Sequence, residues 1–113
     1  MAEKSSKRPR QVAELIHHEL AMILRKEIGD PLFVHLTIRE VDLSNDLSNA
    51  KIYVALYNEE QKDQVMKRLD EWLPKIRHYL SKKVALRYVP KLSFIYDETQ
   101  QKAARIDDLL KDE

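Results

Sequence analysis

The chain has 113 residues, with 20 Lys or Arg against 19 Asp or Glu and a formal net charge of +1. That length fits one domain with a modest core. It has no cysteine, which excludes a disulfide, a thiolate nucleophile and a cysteine metal site, and its single glycine excludes a glycine-rich phosphate loop.

Residues 1–9 are polar and basic and read as a flexible arm, with Pro9 suited to a helix start. From Arg10 the pattern turns helical. Val12, Ile16, Leu20 and Ile23 recur at three- to four-residue steps, and Leu15 and Leu24 widen the stripe. Gly29 predicts a left-handed cap, and Asp30-Pro31 prevents continuation. Val34 to Leu43 predicts a strand. Leu36 and Ile38 have one parity, Val41 and Leu43 the other, so a bulge near Arg39-Glu40 is needed to bring all four to one face. Ser44-Asn45-Asp46 is turn chemistry. A second strand from Ala50 to Tyr57 points Ile52, Val54 and Leu56 inward and Tyr53 and Tyr57 outward.

After a polar connection, a helix is predicted from Gln61 to Leu73, with Val65, Leu69, Trp72 and Leu73 buried. Pro74 cannot donate to Asp70, so the continuing stripe of Ile76, Leu80 and Val84 predicts a second helical arm beyond a kink at Trp72, Leu73 and Pro74. Leu92, Phe94 and Tyr96 predict a third strand, and Thr99 to Leu110 a last helix. The expected organisation is a basic arm (1–9), one α+β domain (10–97) and an acidic tail (98–113) that is partly helical or disordered. Its three-stranded sheet is covered by helices on one face.

Charge is segregated along this order. Residues 1–10 carry +3, residues 11–73 carry −5, residues 74–91 carry +6 and residues 97–113 carry −3. The basic segment holds Lys75, Arg77, Lys82, Lys83, Arg87 and Lys91 with no acid. A helix with a buried stripe and a positive outer face suits a polyanion. The bland alternative is a solvated helix face. Arg87 and Lys91 have a further one, pairing with Asp97 or with a helix C-terminal carbonyl. Lys4, Lys7, Arg8 and Arg10 add charge that suits RNA contact or simple solubility. Tyr53 and Tyr57 read as a stacking platform or as a partly covered sheet surface. His17, His18, His35 and His78 lack ligand spacing, no serine sits in a nucleophile elbow, and no apolar run reaches membrane-spanning length. The expectation is a cytoplasmic, monomeric, non-enzymatic protein with no cofactor, metal or small-molecule substrate and no membrane contact.

These residues resemble the bacterial ribosome-binding factor A family from about Arg8 to Asp97. The likeness starts at Arg8-Pro9-Arg10-Gln11-Val12 and includes Asp30-Pro31, Val41 to Leu47 and Ala50-Lys51-Ile52-Tyr53-Val54. It is most specific over Ile76-Arg77, Leu86 to Phe94 and Tyr96-Asp97. The resemblance implies a type II KH-like fold of order α-β-β-α-(kink)-α-β. It also implies binding to the small (30S) ribosomal subunit and its 16S rRNA during late maturation and pre-rRNA processing, with a role in cold adaptation. The RNA-binding site expected from the charge pattern is Arg8, Arg10, Lys75, Arg77, Lys82, Lys83, Arg87 and Lys91. A general KH-type RNA chaperone and a small protein–protein adaptor are the alternatives. Two positions depart from the family pattern. Gln11 stands where Arg is usual, with Arg10 beside it. Trp72-Leu73-Pro74 replaces the family's Ala-x-Gly kink, which shifts phosphate contact from backbone to side chains.

Overall fold

The computed structural model describes residues 2–98, with side chains from Pro9 onward. The last helix expected over Thr99 to Leu110 lies outside the described residues. Helix α1 spans Ala2–Met22 and passes into a π-helical turn over Ile23–Ile28. Gly29 closes it at φ 60°, ψ 26°, and its amide donates to the Leu24 carbonyl at 3.2 Å. This is the left-handed cap read from the sequence. The start differs: the backbone is helical from Ala2, where a flexible arm was expected. Residues 2–8 contain good helix formers and no glycine, and Pro9 inside the helix leaves only the Ser5 carbonyl without its usual amide.

The Asp30 side chain accepts from the Leu32 amide and caps a 3-10 turn over Pro31–Phe33. That turn takes up Val34, so strand β1 runs Leu36–Leu43 and starts later than predicted. Its register against β2 (Asn49–Leu56) shifts between Ile38 and Glu40. This is the bulge the parity change required. With it, Leu36, Ile38, Val41 and Leu43 lie opposite Leu56, Val54, Ile52 and Ala50, and the inward face of β1 stays continuous.

The β1–β2 turn is a closed hydrogen-bond network. The Asp46 carboxylate accepts from the Ser44 hydroxyl (2.7 Å), the Ser48 hydroxyl (2.6 Å) and the Ser48 amide (3.1 Å). These donors hold its pKa down at about 2. Leu47 sits at φ 63° with its side chain against the core. That is a strained conformation for a leucine, and burial offsets the cost.

A 3-10 turn (Glu59–Gln61) leads into α2, Lys62–Lys83. It is one helix with Pro74 inside it, where two arms were expected. Proline removes one amide, and the ladder resumes on the next turn. Strand β3, Lys91–Tyr96, pairs parallel to β2, giving the sheet order β1-β2-β3. The core lies between the inner sheet face and the two helices. Ile16, Leu20 and Ile23 meet Ile52 and Val54 with Val65, Leu69, Ile76 and Leu80, all fully buried. Side chains of this size each contribute about 1.5–3 kcal/mol on burial. The result is an α+β layer of two helices on a three-stranded sheet, as expected for a KH-like domain.

Candidate nucleic-acid interface

The register sets the direction of each element. Leu43 lies opposite Ala50, Ala50 lies beside Leu92, and the Lys91 amide donates to the Ser48 carbonyl at 2.8 Å. The end of β1 and the starts of β2 and β3 therefore share one end of the sheet. Helix α2 also finishes near this end, because Val84 follows it and β3 begins at Lys91. The early part of α1 is there too, since Pro9 and Arg10 line a cleft with Asp42 and Leu43. Four separate segments thus bring bases to one end: Arg10 on α1, Lys82 and Lys83 on the last turn of α2, Arg87 in the connection, and Lys91 at the head of β3. Arg8 lies on the same early part of α1. Lys75 and Arg77 sit further back along α2.

Arg10, Lys75, Arg77, Lys82, Lys83, Arg87 and Lys91 are all exposed. The ion pairs among the described residues involve Arg39, Lys62 and Arg68 and none of these seven. Three of the bases are steadied without being neutralised. Arg77 donates to the Val89 carbonyl at 3.2 Å. The Lys75 ammonium lies 5.8 Å from the centre of the Trp72 ring, and the Arg87 guanidinium 5.6 Å from that of Tyr88. Lys82 and Lys83 also face the negative end of the α2 dipole, so part of their charge serves the helix itself.

The helical bases do not form one row. At 3.6 residues per turn, residues two apart are separated by about 200°. Lys75 and Lys82, two turns apart, share the flank of Trp72, while Arg77 lies on the opposite flank toward Val89. The bases border the exposed arc of α2 from both sides, with His78 and Ser81 between them. Asp97, one alternative partner for Arg87 and Lys91, pairs with Arg39 (3.7 Å), and neither Arg87 nor Lys91 is in an ion pair with it among the described residues. At the expected kink, Trp72 and Leu73 are half-buried and Pro74 is exposed. Tyr53 is half-buried on the outer sheet face, and Tyr57 lies one residue beyond β2.

Sequence reasoning missed the group that fixes α2. Asp30 keeps only 5% of its side-chain surface exposed. Its Oδ2 accepts from the Arg68 guanidinium at 2.9 Å and from the Trp72 indole at 3.0 Å, while Oδ1 accepts from the Leu32 amide at 3.0 Å. Burial alone would raise this pKa. The hydrogen bonds from Trp72 and Leu32 and the charge of Arg68 outweigh it and lower the pKa. The indole donor orients the ring against which Lys75 rests. His17 plays a similar part in α1: its Nε2 donates to the Ile38 carbonyl at the bulge, at 2.8 Å. No group of three or more His, Asp or Glu suited to a metal occurs among the described residues. No helix among them is long and apolar enough to cross a membrane.

Comparison with known proteins finds relatives of this chain. A protein described as ribosome-binding factor A from Coxiella burnetii (strain CbuG_Q212) is 39% identical over 106 residues, spanning 94% of this chain and 89% of that protein. The crystal structure of ribosome-binding factor A from Thermus thermophilus superposes with a TM-score of 0.70 at 25% identity, covering 78% of this chain and 94% of the other. Coordinates of the Thermus thermophilus factor fitted into an electron-microscopy map of a 30S complex match with a TM-score of 0.60 at 24% identity, covering 80% and 92%. The family model for ribosome-binding factor A matches residues 8–110. With a KH-like α+β fold and a match across nearly its whole length, the chain belongs to the ribosome-binding factor A family.

Proposed function

We propose that this protein is an assembly factor that binds the immature small ribosomal subunit, and that it does so by laying its basic end on 16S rRNA during late maturation and pre-rRNA processing. The observation that carries this reading is the convergence of exposed bases without carboxylate partners from α1, α2, the 84–90 connection and β3. Family membership supports the choice of target, as does the 30S complex of the Thermus protein.

The docking is electrostatic. Each lysine or arginine that meets a phosphate releases condensed counterions, so affinity falls steeply with salt. Bases on both borders of α2 suit a phosphate backbone that passes across the exposed arc. The sheet and the Asp30 group hold α2 rigid, so the charges meet rRNA already spaced. Specificity comes from the shape of the folded rRNA, because phosphate contacts position a protein without reading sequence. No catalytic residue is assigned. The protein acts as a soluble cytoplasmic monomer in this reading.

The test is sedimentation with purified small subunits at several salt concentrations. Arg77→Glu with Lys83→Glu should weaken binding and flatten its salt dependence while the protein stays folded. Unchanged binding with an unchanged slope would remove the site. Nuclease treatment separates this reading from a protein adaptor, whose complexes survive loss of RNA. Binding to naked RNA equal to that of subunits would indicate a general RNA chaperone.

A further inference from the structure

The sheet end opposite the basic cluster carries an exposed aromatic pair that rRNA docking does not use. Tyr57 is 90% exposed, and its ring lies 6.0 Å from that of the exposed His35, tilted at 45°. The Tyr57 amide donates to the His35 carbonyl at 3.3 Å, which fixes the two residues side by side. Val34 beside them is 71% exposed. Local sequence chemistry builds a rim around the rings. Asn58 Oδ1 accepts from the Glu60 amide at 3.1 Å and starts the 3-10 turn, which sets Glu59 and Glu60 next to Tyr57. A shallow groove of about 630 Å3 is lined by His35, Tyr57, Asn58, Glu59 and Glu60. Neither glutamate is in an ion pair among the described residues.

An exposed aromatic face bordered by carboxylates attracts a cation: the ring offers its negative face, and the carboxylate offers a charge-assisted hydrogen bond. The same chain already uses this chemistry nearby. The Lys62 ammonium lies 4.8 Å from the centre of the Tyr96 ring and donates to Glu98 at 2.6 Å. Lys62 is thereby committed to its own partners and does not neutralise the groove. We propose that the Tyr57 groove is a second docking surface, for an arginine- or lysine-bearing segment of a protein partner, with the cationic head over Tyr57 and paired to Glu59 or Glu60. The two carboxylates repel phosphate, so the groove favours a basic peptide over RNA. This surface does not depend on the rRNA reading.

The probe is a peptide of alternating arginine and glycine, titrated into the isotope-labelled full chain by NMR, with a single-stranded RNA oligomer as a parallel titration. Peptide-induced shifts should concentrate at His35, Tyr57, Glu59 and Glu60. Tyr57→Leu should weaken peptide binding about threefold, in line with an exposed cation–ring contact. Tyr57→Phe should preserve it, and Glu59→Gln with Glu60→Gln should reduce it further. All three variants should keep the salt dependence of subunit binding. Shifts spread evenly over the acidic residues, equal binding by Tyr57→Leu and Tyr57→Phe, or shifts at these residues from RNA instead of peptide would each overturn the proposal.

Discussion

The two ends of the sheet carry opposite electrostatics and treat their charges differently. Around the starts of β1 and α2, ionic groups are matched within the fold: Lys62 to Glu98, Arg39 to Asp97, and Arg68 to Asp30. At the other end, Arg10, Lys82, Lys83, Arg87 and Lys91 reach solvent with no carboxylate partner among the described residues. The difference separates charge that holds the fold from charge that meets a partner. Exposed unpaired bases add little to stability, so the basic end can change without unfolding the chain. The Asp30 group cannot.

The largest effect on stability should come from the matched side. Asp30→Ala removes a helix cap and leaves the Trp72 indole and Arg68 without their acceptor. About 2–4 kcal/mol of stability should disappear, read by denaturant unfolding. A loss below about 1 kcal/mol would show that the group is incidental. The converse applies to the basic end. Arg77→Glu with Lys83→Glu gives up the Val89 contact and a favourable charge at the end of α2, so it should cost about 1 kcal/mol of stability, yet lower the salt slope of subunit binding by about 0.7–0.9 for each phosphate that is no longer neutralised. A control reversal at Lys26, which is exposed on the π-helical turn, should leave that slope alone. Equal losses from both reversals would erase the distinction between the ends.

Acid sharpens the comparison. The pKa values of Asp30 and Asp46 are both lowered in the folded state. Each therefore contributes stability that is present above the unfolded carboxylate value of about 3.9 and is lost as pH falls through the folded value. For Asp46 that value is about 2. Thermal melts should fall between about pH 4 and pH 2. Asp46→Asn should flatten that fall, and a slope identical to that of the parent would contradict the turn network's role. The smallest effect is expected at Pro74. Because α2 continues through it, Pro74→Ala restores one amide and should move stability by no more than about 1 kcal/mol. The amide gained at position 74 should donate to the Asp70 carbonyl and be protected from exchange. Exchange at the rate of an unstructured amide would mean that the ladder is broken there for another reason.

Much of this architecture is legible in the sequence because it rests on local periodicity. The parity change between Ile38 and Val41 required the bulge, Gly29 required the cap, and the stripe from Val65 to Leu80 located α2. Two features came from information the pattern does not carry. The Asp30 acceptor joins residues 38 and 42 positions away, and Asp30-Pro31 reads locally as a helix stop whatever it binds. The π-helical turn uses Ile23 and Leu24, which fit an ordinary helix equally well. A third feature was readable: Lys75 and Arg77, two apart, cannot share a helix face. Their placement on opposite borders of α2 follows from spacing alone.

The central claim is that the basic end meets the small subunit. The direct measurement is lysine acetylation of the free and subunit-bound protein, read residue by residue by mass spectrometry. Lys75, Lys82, Lys83 and Lys91 should become protected on binding, while Lys26 stays reactive. Protection of Lys26, with Lys82, Lys83 and Lys91 still open to reagent, would contradict the account.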